Sequence, residues 1–172
     1  MKKIIIAATL AISAICVNAS TVKWGFDSGT LDSEKFASGT AYLICVSDLA
    51  RPTFADDSAA QTWYKSNGST LGTTAFRSES VSDGTVNVSE VIESPTGRKQ
   101  YWLAVVNADE TALAVSTINQ AINIQSGTMN ISAQWSPSSQ MKTYELANVP
   151  EPTSALLLML GVAGLMLRRK QK

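Results

Sequence analysis

Fourteen acidic side chains and not one histidine limit the chemistry open to this chain. Without an imidazole, Ser-His-Asp and Cys-His nucleophiles are excluded, as are metal sites that need a histidine ligand. Carboxylate-only acid–base work remains, because a glycosidase needs just two carboxyl groups. The candidate pairs are Asp56-Asp57, Asp109-Glu110, and Glu90 with Glu93. All stand in turn-like or exposed sequence, where neighbouring carboxylates are usually solvated or cap a helix. A Ca²⁺ site drawn from Asp27, Asp56, Asp57 or Asp83 lacks the ligand spacing of an EF-hand or repeat loop. No catalytic residue, cofactor or metal is expected.

Sugar recognition needs flat aromatic faces, and Trp24, Trp63, Tyr64, Trp102 and Trp135 are the candidates. Trp102 and Trp135 fall on inward-reading positions of strand-like segments, which makes them core. Trp63-Tyr64 is the pair best placed for glycan contact, although packing of a helix against a sheet explains the same two residues. Cys45 lies in an apolar strand-like run with no histidine near it and reads as a buried structural cysteine.

These side chains have to be positioned by strands. Tyr42 to Val46 and Tyr101 to Val106 are apolar on both alternating faces, which predicts central strands covered on two sides. Thr85 to Ile92 alternates, with Glu90 interrupting the apolar face, and Met129 to Trp135 alternates cleanly. Weaker strand patterns cover Thr21 to Phe26, Thr73 to Ser78, Leu113 to Ile118, Ala121 to Gln125 and Lys142 to Leu146. Turn signals fall between them at Asn67-Gly68, Asp83-Gly84, Pro95 to Gly97, Asn107 to Asp109 and Ser126-Gly127. One short helix over Ser58 to Lys65, capped by Asp56 or Asp57 and closed at Asn67-Gly68, is expected. The pattern predicts a mainly β fold: a single small antiparallel β-sandwich or barrel-like domain with one short helix.

The two ends carry different information. Met1-Lys2-Lys3, the apolar stretch Ile4 to Val17 and Val17-Asn18-Ala19 have the layout of a secretory signal peptide cut after Ala19. Ile15 is too large for the position before a lipidated cysteine, so Cys16 belongs to the discarded peptide. Residues 20–148 then form the exported module, long enough for one core. That span holds 8 basic and 13 acidic residues, a net charge of −5. Such a balance argues against nucleic acid as a partner. The balancing positive charge sits at Lys2, Lys3 and the cluster from Arg168 to Lys172, and both clusters flank hydrophobic runs. The positive-inside bias puts both ends on the cytoplasmic side and the module outside.

The C-terminal hydrophobic stretch is short. Ala155 to Leu167 makes about 20 Å of helix against a hydrocarbon core of roughly 30 Å. It spans only if residues 152–154 join it and Arg168 and Arg169 snorkel. Gly161 and Gly164 weaken it further and offer a flat face to another helix. Pro150 and Pro152 hold their own φ and keep Val149 and Glu151 out of the helical region, so the motif stays extended above the span. Glu151 places one charge where an enzyme can read it.

This arrangement resembles the PEP-CTERM sorting domain of Gram-negative exported proteins. The likeness covers residues 149–172: the motif Pro150, Glu151 and Pro152, a hydrophobic helix over 154–167, and a basic end at 168–172 with Arg168, Arg169 and Lys170 as the cytoplasmic stop. The resemblance implies processing by an exosortase, an integral-membrane transpeptidase, after a signal peptidase has acted. It also implies at least transient membrane residence, then passage to the cell surface or extracellular matrix, with exopolysaccharide as a further partner. The expectation is a non-enzymatic exported protein with a structural or adhesive role. The alternatives are a carbohydrate-binding module of the exopolysaccharide matrix and a carboxylate-only glycosidase.

Overall fold

The computed structural model of the chain describes residues 20–92, 97–124, 130–136 and 138–146. The signal segment and the sorting motif predicted above lie outside the described residues. In chain order the elements are β1 (Ser20–Phe26), β2 (Ser38–Cys45), helix α1 (Asp57–Asn67), the short helix α2 (Leu71–Thr74), β3 (Arg77–Ser82), β4 (Val86–Ile92), β5 (Gly97–Asn107), β6 (Ala112–Ser116), β7 (Gln120–Ile124), β8 (Asn130–Gln134) and β9 (Met141–Glu145).

A small sheet has the order β4-β1-β8, and a large one the order β3-β2-β5-β6-β9, with β7 also on β5. The large sheet is apolar on both faces, as its strand sequences require. Ala41, Leu43 and Cys45 of β2, with Tyr101, Leu103 and Val105 of β5, point into a core shared with Val22, Trp24 and Phe26 of β1. The alternate residues Ile44, Trp102, Ala104 and Val106 point the other way, into a second core covered by Ala60 of α1 and Leu71 of α2. The result is three layers: small sheet, large sheet, helices.

Strand β5 is long enough to change partners along one edge. Its first part, Gly97 to Tyr101, pairs with β7, and Ala104 to Val106 pair with β6. Between these ladders the Leu103 N–H donates to Ser116 Oγ at 3.0 Å, so a buried serine replaces the missing strand carbonyl. On its other edge β5 pairs with β2 from Tyr101 opposite Cys45 to Asn107 opposite Gly39. Asn107 then builds the turn into β6. Its Oδ1 accepts from the Thr111 and Ala112 N–H groups at 2.9 and 2.8 Å.

The hairpin β3–β4 joins the two sheets instead of lying in one. Asp83 and Gly84 both have positive φ, 49° and 67°, which gives the tight two-residue turn whose twist suits a hairpin. From there β3 runs into the large sheet against β2, and β4 into the small sheet against β1. The residue that breaks the apolar face of β4 explains how this corner is held. Glu90 Oε1 accepts the Trp24 indole N–H at 2.8 Å, and Glu90 Oε2 accepts Arg77 Nε at 2.9 Å. The Arg77 guanidinium also lies 4.4 Å above the Phe76 ring. One half-buried carboxylate therefore ties β1, β4 and β3 together across the corner.

Two expectations are corrected. The sandwich is not wholly antiparallel, because β8 runs parallel to β1. Both chain neighbours of β8, namely β7 and β9, lie in the large sheet, so no hairpin sets its direction. The strand expected over residues 73–78 is shifted: Leu71 to Thr74 are helical because Leu71 is needed beneath the helix layer, and β3 begins at Arg77. Asn67 and Gly68 close α1 as expected, though Gly68 does so without a left-handed turn. It is right-handed helical at φ −55°, and the chain continues in a 3₁₀ turn. A Cβ at position 68 would lie 2.8 Å from the Tyr64 ring, so the glycine makes room for that ring. No helix among the described residues is long and apolar enough to cross a membrane. The proposed span at 154–167 falls outside them.

Glu90→Ala leaves the Trp24 indole and the Arg77 guanidinium without their acceptor and is expected to cost about 2 kcal/mol of stability. Val91→Ala, on the exposed side of the same strand, is expected to stay within about 0.5 kcal/mol. Urea denaturation of the two variants measures the difference.

Candidate binding grooves beside helix α1

The four tryptophans divide sharply in environment. Trp24, Trp102 and Trp135 are at most 1 % exposed. Each indole N–H has an acceptor: Glu90 Oε1, the Leu49 carbonyl at 2.7 Å and the Ile118 carbonyl at 3.1 Å. These three are core, which removes them as sugar platforms. Trp63 is only half-buried and stands at the edge of the second core. Its ring meets Phe54 at 5.6 Å and the edge of Trp102 at 6.2 Å.

Helix α1 presents Trp63 because Asp56 begins the helix at the right register. The Asp56 backbone is extended, and its Oδ1 accepts the Ala59 N–H at 2.8 Å. One face then carries Ala60 inward, and the neighbouring face carries Ser58, Thr62 and Ser66 at four-residue spacing. Thr62 Oγ1 donates to the Ser58 carbonyl and Ser66 Oγ to the Thr62 carbonyl. With their protons turned to the helix, these hydroxyls present acceptor lone pairs outward.

Opposite that face runs the loop after β2. Between loop and helix lies an open groove of about 810 Å³, lined by residues that include Arg51, Phe54, Asp56, Thr62, Trp63 and Asn67. On the far side of the same loop is a smaller cleft of about 250 Å³, bounded by Arg51, Thr53, Ser116, Lys142 and Tyr144. The loop stretch from Arg51 to Phe54 forms the ridge between them, and the Phe54 ring is buried beneath it, with Trp63 on one side and Tyr144 at 5.0 Å on the other. Arg51 braces this loop against the β6–β7 turn, donating from Nε to Asn119 Oδ1 at 2.9 Å and from Nη1 to the Ser116 carbonyl at 3.1 Å.

The predicted pair Trp63-Tyr64 is therefore split. Trp63 lines the larger groove, whereas Tyr64 turns toward Glu110 and Tyr42, away from it. Burial is the main cause that raises the Tyr64 phenol above its ordinary value, with the Glu110 carboxylate second. The residues that line the grooves beside Trp63 escaped the sequence reading. The Ser58-Thr62-Ser66 spacing was a usable signal for one wall. Nothing local marks Arg51 or Lys142, which the fold brings together from the loop after β2 and from β9.

The carboxylate pairs do not converge. Asp56 caps α1, while Asp57 Oδ1 accepts the Glu145 N–H at 3.2 Å. Glu145 in turn pairs with Lys35. Glu90 serves the corner described above, Asp109 and Glu110 lie at the β5–β6 turn, and Glu93 lies outside the described residues. Asp27 Oδ2 accepts from Ser136 Oγ. Among the described residues no group of three acidic or cysteine side chains is placed to hold a metal ion. Cys45 is buried, with its Sγ 3.2 Å from Ser47 Oγ.

The sorting residues Pro150, Glu151 and Pro152 and the basic Arg168, Arg169 and Lys170 lie outside the described residues. The described chain nonetheless limits where they can be. Leu146 is 2 % exposed, and its N–H donates to the Thr111 carbonyl at 2.8 Å. Four residue steps separate it from Pro150, at most about 14 Å of extended chain.

Tyr101 offers a pH test of the core. Its hydroxyl is buried with no hydrogen-bond partner among the described residues. Its phenol is pushed up to about 12 by burial first and by Cys45 and Asp48 second. An unfolded tyrosine ionises near pH 10 (about its ordinary value), so between there and about 12 the unfolded state loses its proton first. The stability gained by keeping the phenol neutral is complete below about pH 10 and is lost as the pH rises toward 12. Urea midpoints are expected to fall from about pH 9 to about pH 11, and less steeply in Tyr101→Phe.

No curated protein and no solved structure matches the chain. The family model of the PEP-CTERM protein-sorting motif matches residues 148–170, starting just after the last anchored residue of the sandwich. The chain thus carries a PEP-CTERM sorting signal, which implies an exported protein with a membrane-associated C-terminus, processed by an exosortase.

Proposed function

We propose that this protein is an exported, non-enzymatic component of the cell surface or extracellular matrix, with a structural or adhesive role. The observation that carries this reading is the sorting motif at residues 148–170, set directly behind a folded β module. In this proposal a signal peptidase removes residues 1–19, and the hydrophobic helix over 154–167 holds the module outside the inner membrane. The exosortase then cuts near Pro150-Glu151-Pro152. The short tether from Leu146 keeps the sandwich close to the membrane until cleavage releases it.

A carbohydrate-binding role within the same matrix is the second reading. It is favoured by one specific observation: Trp63 is the tryptophan left half-buried, and it walls a groove that also carries hydroxyl and amide side chains. A glycosidase has less support. The one carboxylate that lines the larger groove, Asp56, is engaged as a helix cap, whereas hydrolysis of a glycosidic bond calls for two acidic groups flanking it.

Mass spectrometry of the protein from the exported fraction of its native host tests the main reading. The expected C-terminus lies near residues 150–152, and a Pro150→Ala/Pro152→Ala variant is expected to keep its hydrophobic tail and stay with the membrane. A wild-type exported pool intact to Lys172 would overturn the proposal.

A further inference from the structure

The two grooves flanking Phe54 differ in charge, and that difference specifies a ligand. We infer that the smaller cleft binds an anionic sugar residue, the carboxylate of a uronate unit, while the larger groove takes the neighbouring ring of the same polysaccharide against Trp63. This deepens the carbohydrate-binding reading and rests on it.

The module as a whole is acidic, with 13 acidic against 8 basic residues over 20–148. Against that background the smaller cleft is an exception. Arg51 and Lys142 both line it, and among the described residues no carboxylate does. Neither cation is neutralised by a carboxylate elsewhere in the described structure. Arg51 uses two of its five N–H donors on neutral oxygens, Asn119 Oδ1 and the Ser116 carbonyl, which holds the guanidinium plane still. Lys142 is exposed, and its Nζ sits 4.9 Å above the Tyr144 ring, a cation–π contact that leaves the ammonium donors available. A fixed guanidinium fork and a mobile ammonium are suited to a planar carboxylate.

Two features favour a polysaccharide over a small anion. The grooves share the stretch from Arg51 to Phe54 as a common wall, so one chain lying over this loop reaches both. The larger side supplies what a pyranose uses: an aromatic edge at Trp63, outward hydroxyl acceptors at Thr62 and Ser66, and the Asn67 side chain. A phosphate ion would make use of the smaller cleft alone.

The test uses the full-length chain in detergent, with polygalacturonate, dextran, inorganic phosphate and vesicles of mixed anionic and zwitterionic phospholipid as probes. Polygalacturonate is expected to bind about tenfold more tightly than dextran at low salt. Lys142→Gln is expected to bring it down to the dextran level, and Lys142→Arg to retain the preference. Trp63→Ala is expected to weaken both polymers. Equal binding of the two polymers, or a preference untouched by Lys142→Gln, would overturn the charge assignment and leave sugar binding standing. Binding of neither polymer would overturn both. Phosphate bound more tightly than the polymer, or vesicle binding abolished by Lys142→Gln, would reassign the cleft to a free anion or to a membrane surface, and either result overturns the inference.

Discussion

Strand β5 is covered on both faces and paired on both edges, and the positions of the other layers follow from that constraint. Its alternating residues Tyr101, Leu103 and Val105 against Trp102, Ala104 and Val106 are apolar in both directions. One apolar face would be satisfied by a second sheet. Two such faces require a second cover, and the helical segment from residue 57 to residue 74 supplies it. Burial of a large side chain is worth about 1.5–3 kcal/mol, and Ile44, Trp102 and Val106 together favour a cover over this face. The helix has few buried residues of its own and owes its place to the sheet beneath.

The interior is not purely apolar, and its polar groups occur where strand geometry leaves a ladder incomplete. Ser116 fills the step where β5 exchanges β7 for β6. Asn107 closes the turn that follows with three hydrogen bonds and donates a fourth to the Lys35 carbonyl. Glu90 accepts from two donors at the corner where the β3–β4 hairpin crosses between sheets. Each compensates a backbone or indole donor that the fold would otherwise bury without a partner, which costs far more than a made bond contributes. These residues hold the fold in register and leave little ionisable chemistry inside it.

What the module offers to the outside is concentrated on the helix side of the large sheet. The loop after β2 runs beside α1 there and separates two grooves, with Phe54 buried beneath it. The polar and cationic groups around it come from the loop itself, α1, β6 and β9, and they meet because α1 and the loop lie over the edge where β6 and β9 pair. The sorting signal and the grooves thus belong to separate parts of the chain.

The alternation of apolar residues announced the central strands at 42–46 and 101–106 and their two-sided burial, because side-chain direction in a strand depends on local backbone geometry alone. The Asp83-Gly84 turn and the Asp56 cap were legible for the same reason. The sorting signal matched at 148–170 was legible, since a double proline, an apolar run and a basic end act as a linear message that requires no fold. Strand partnership was not legible. Nothing local tells β8 to run parallel to β1, or β5 to change partners at Leu103, because those choices depend on segments far apart in the chain. The same holds at the ridge. Trp63 could be singled out from sequence, but its separation from Tyr64, the second role of Gly68, and the meeting of Arg51 with Lys142 were decided only when distant strands packed. Residues that read their surroundings through their own backbone were determined by sequence; those that depend on a neighbour from elsewhere in the chain were determined by the tertiary structure.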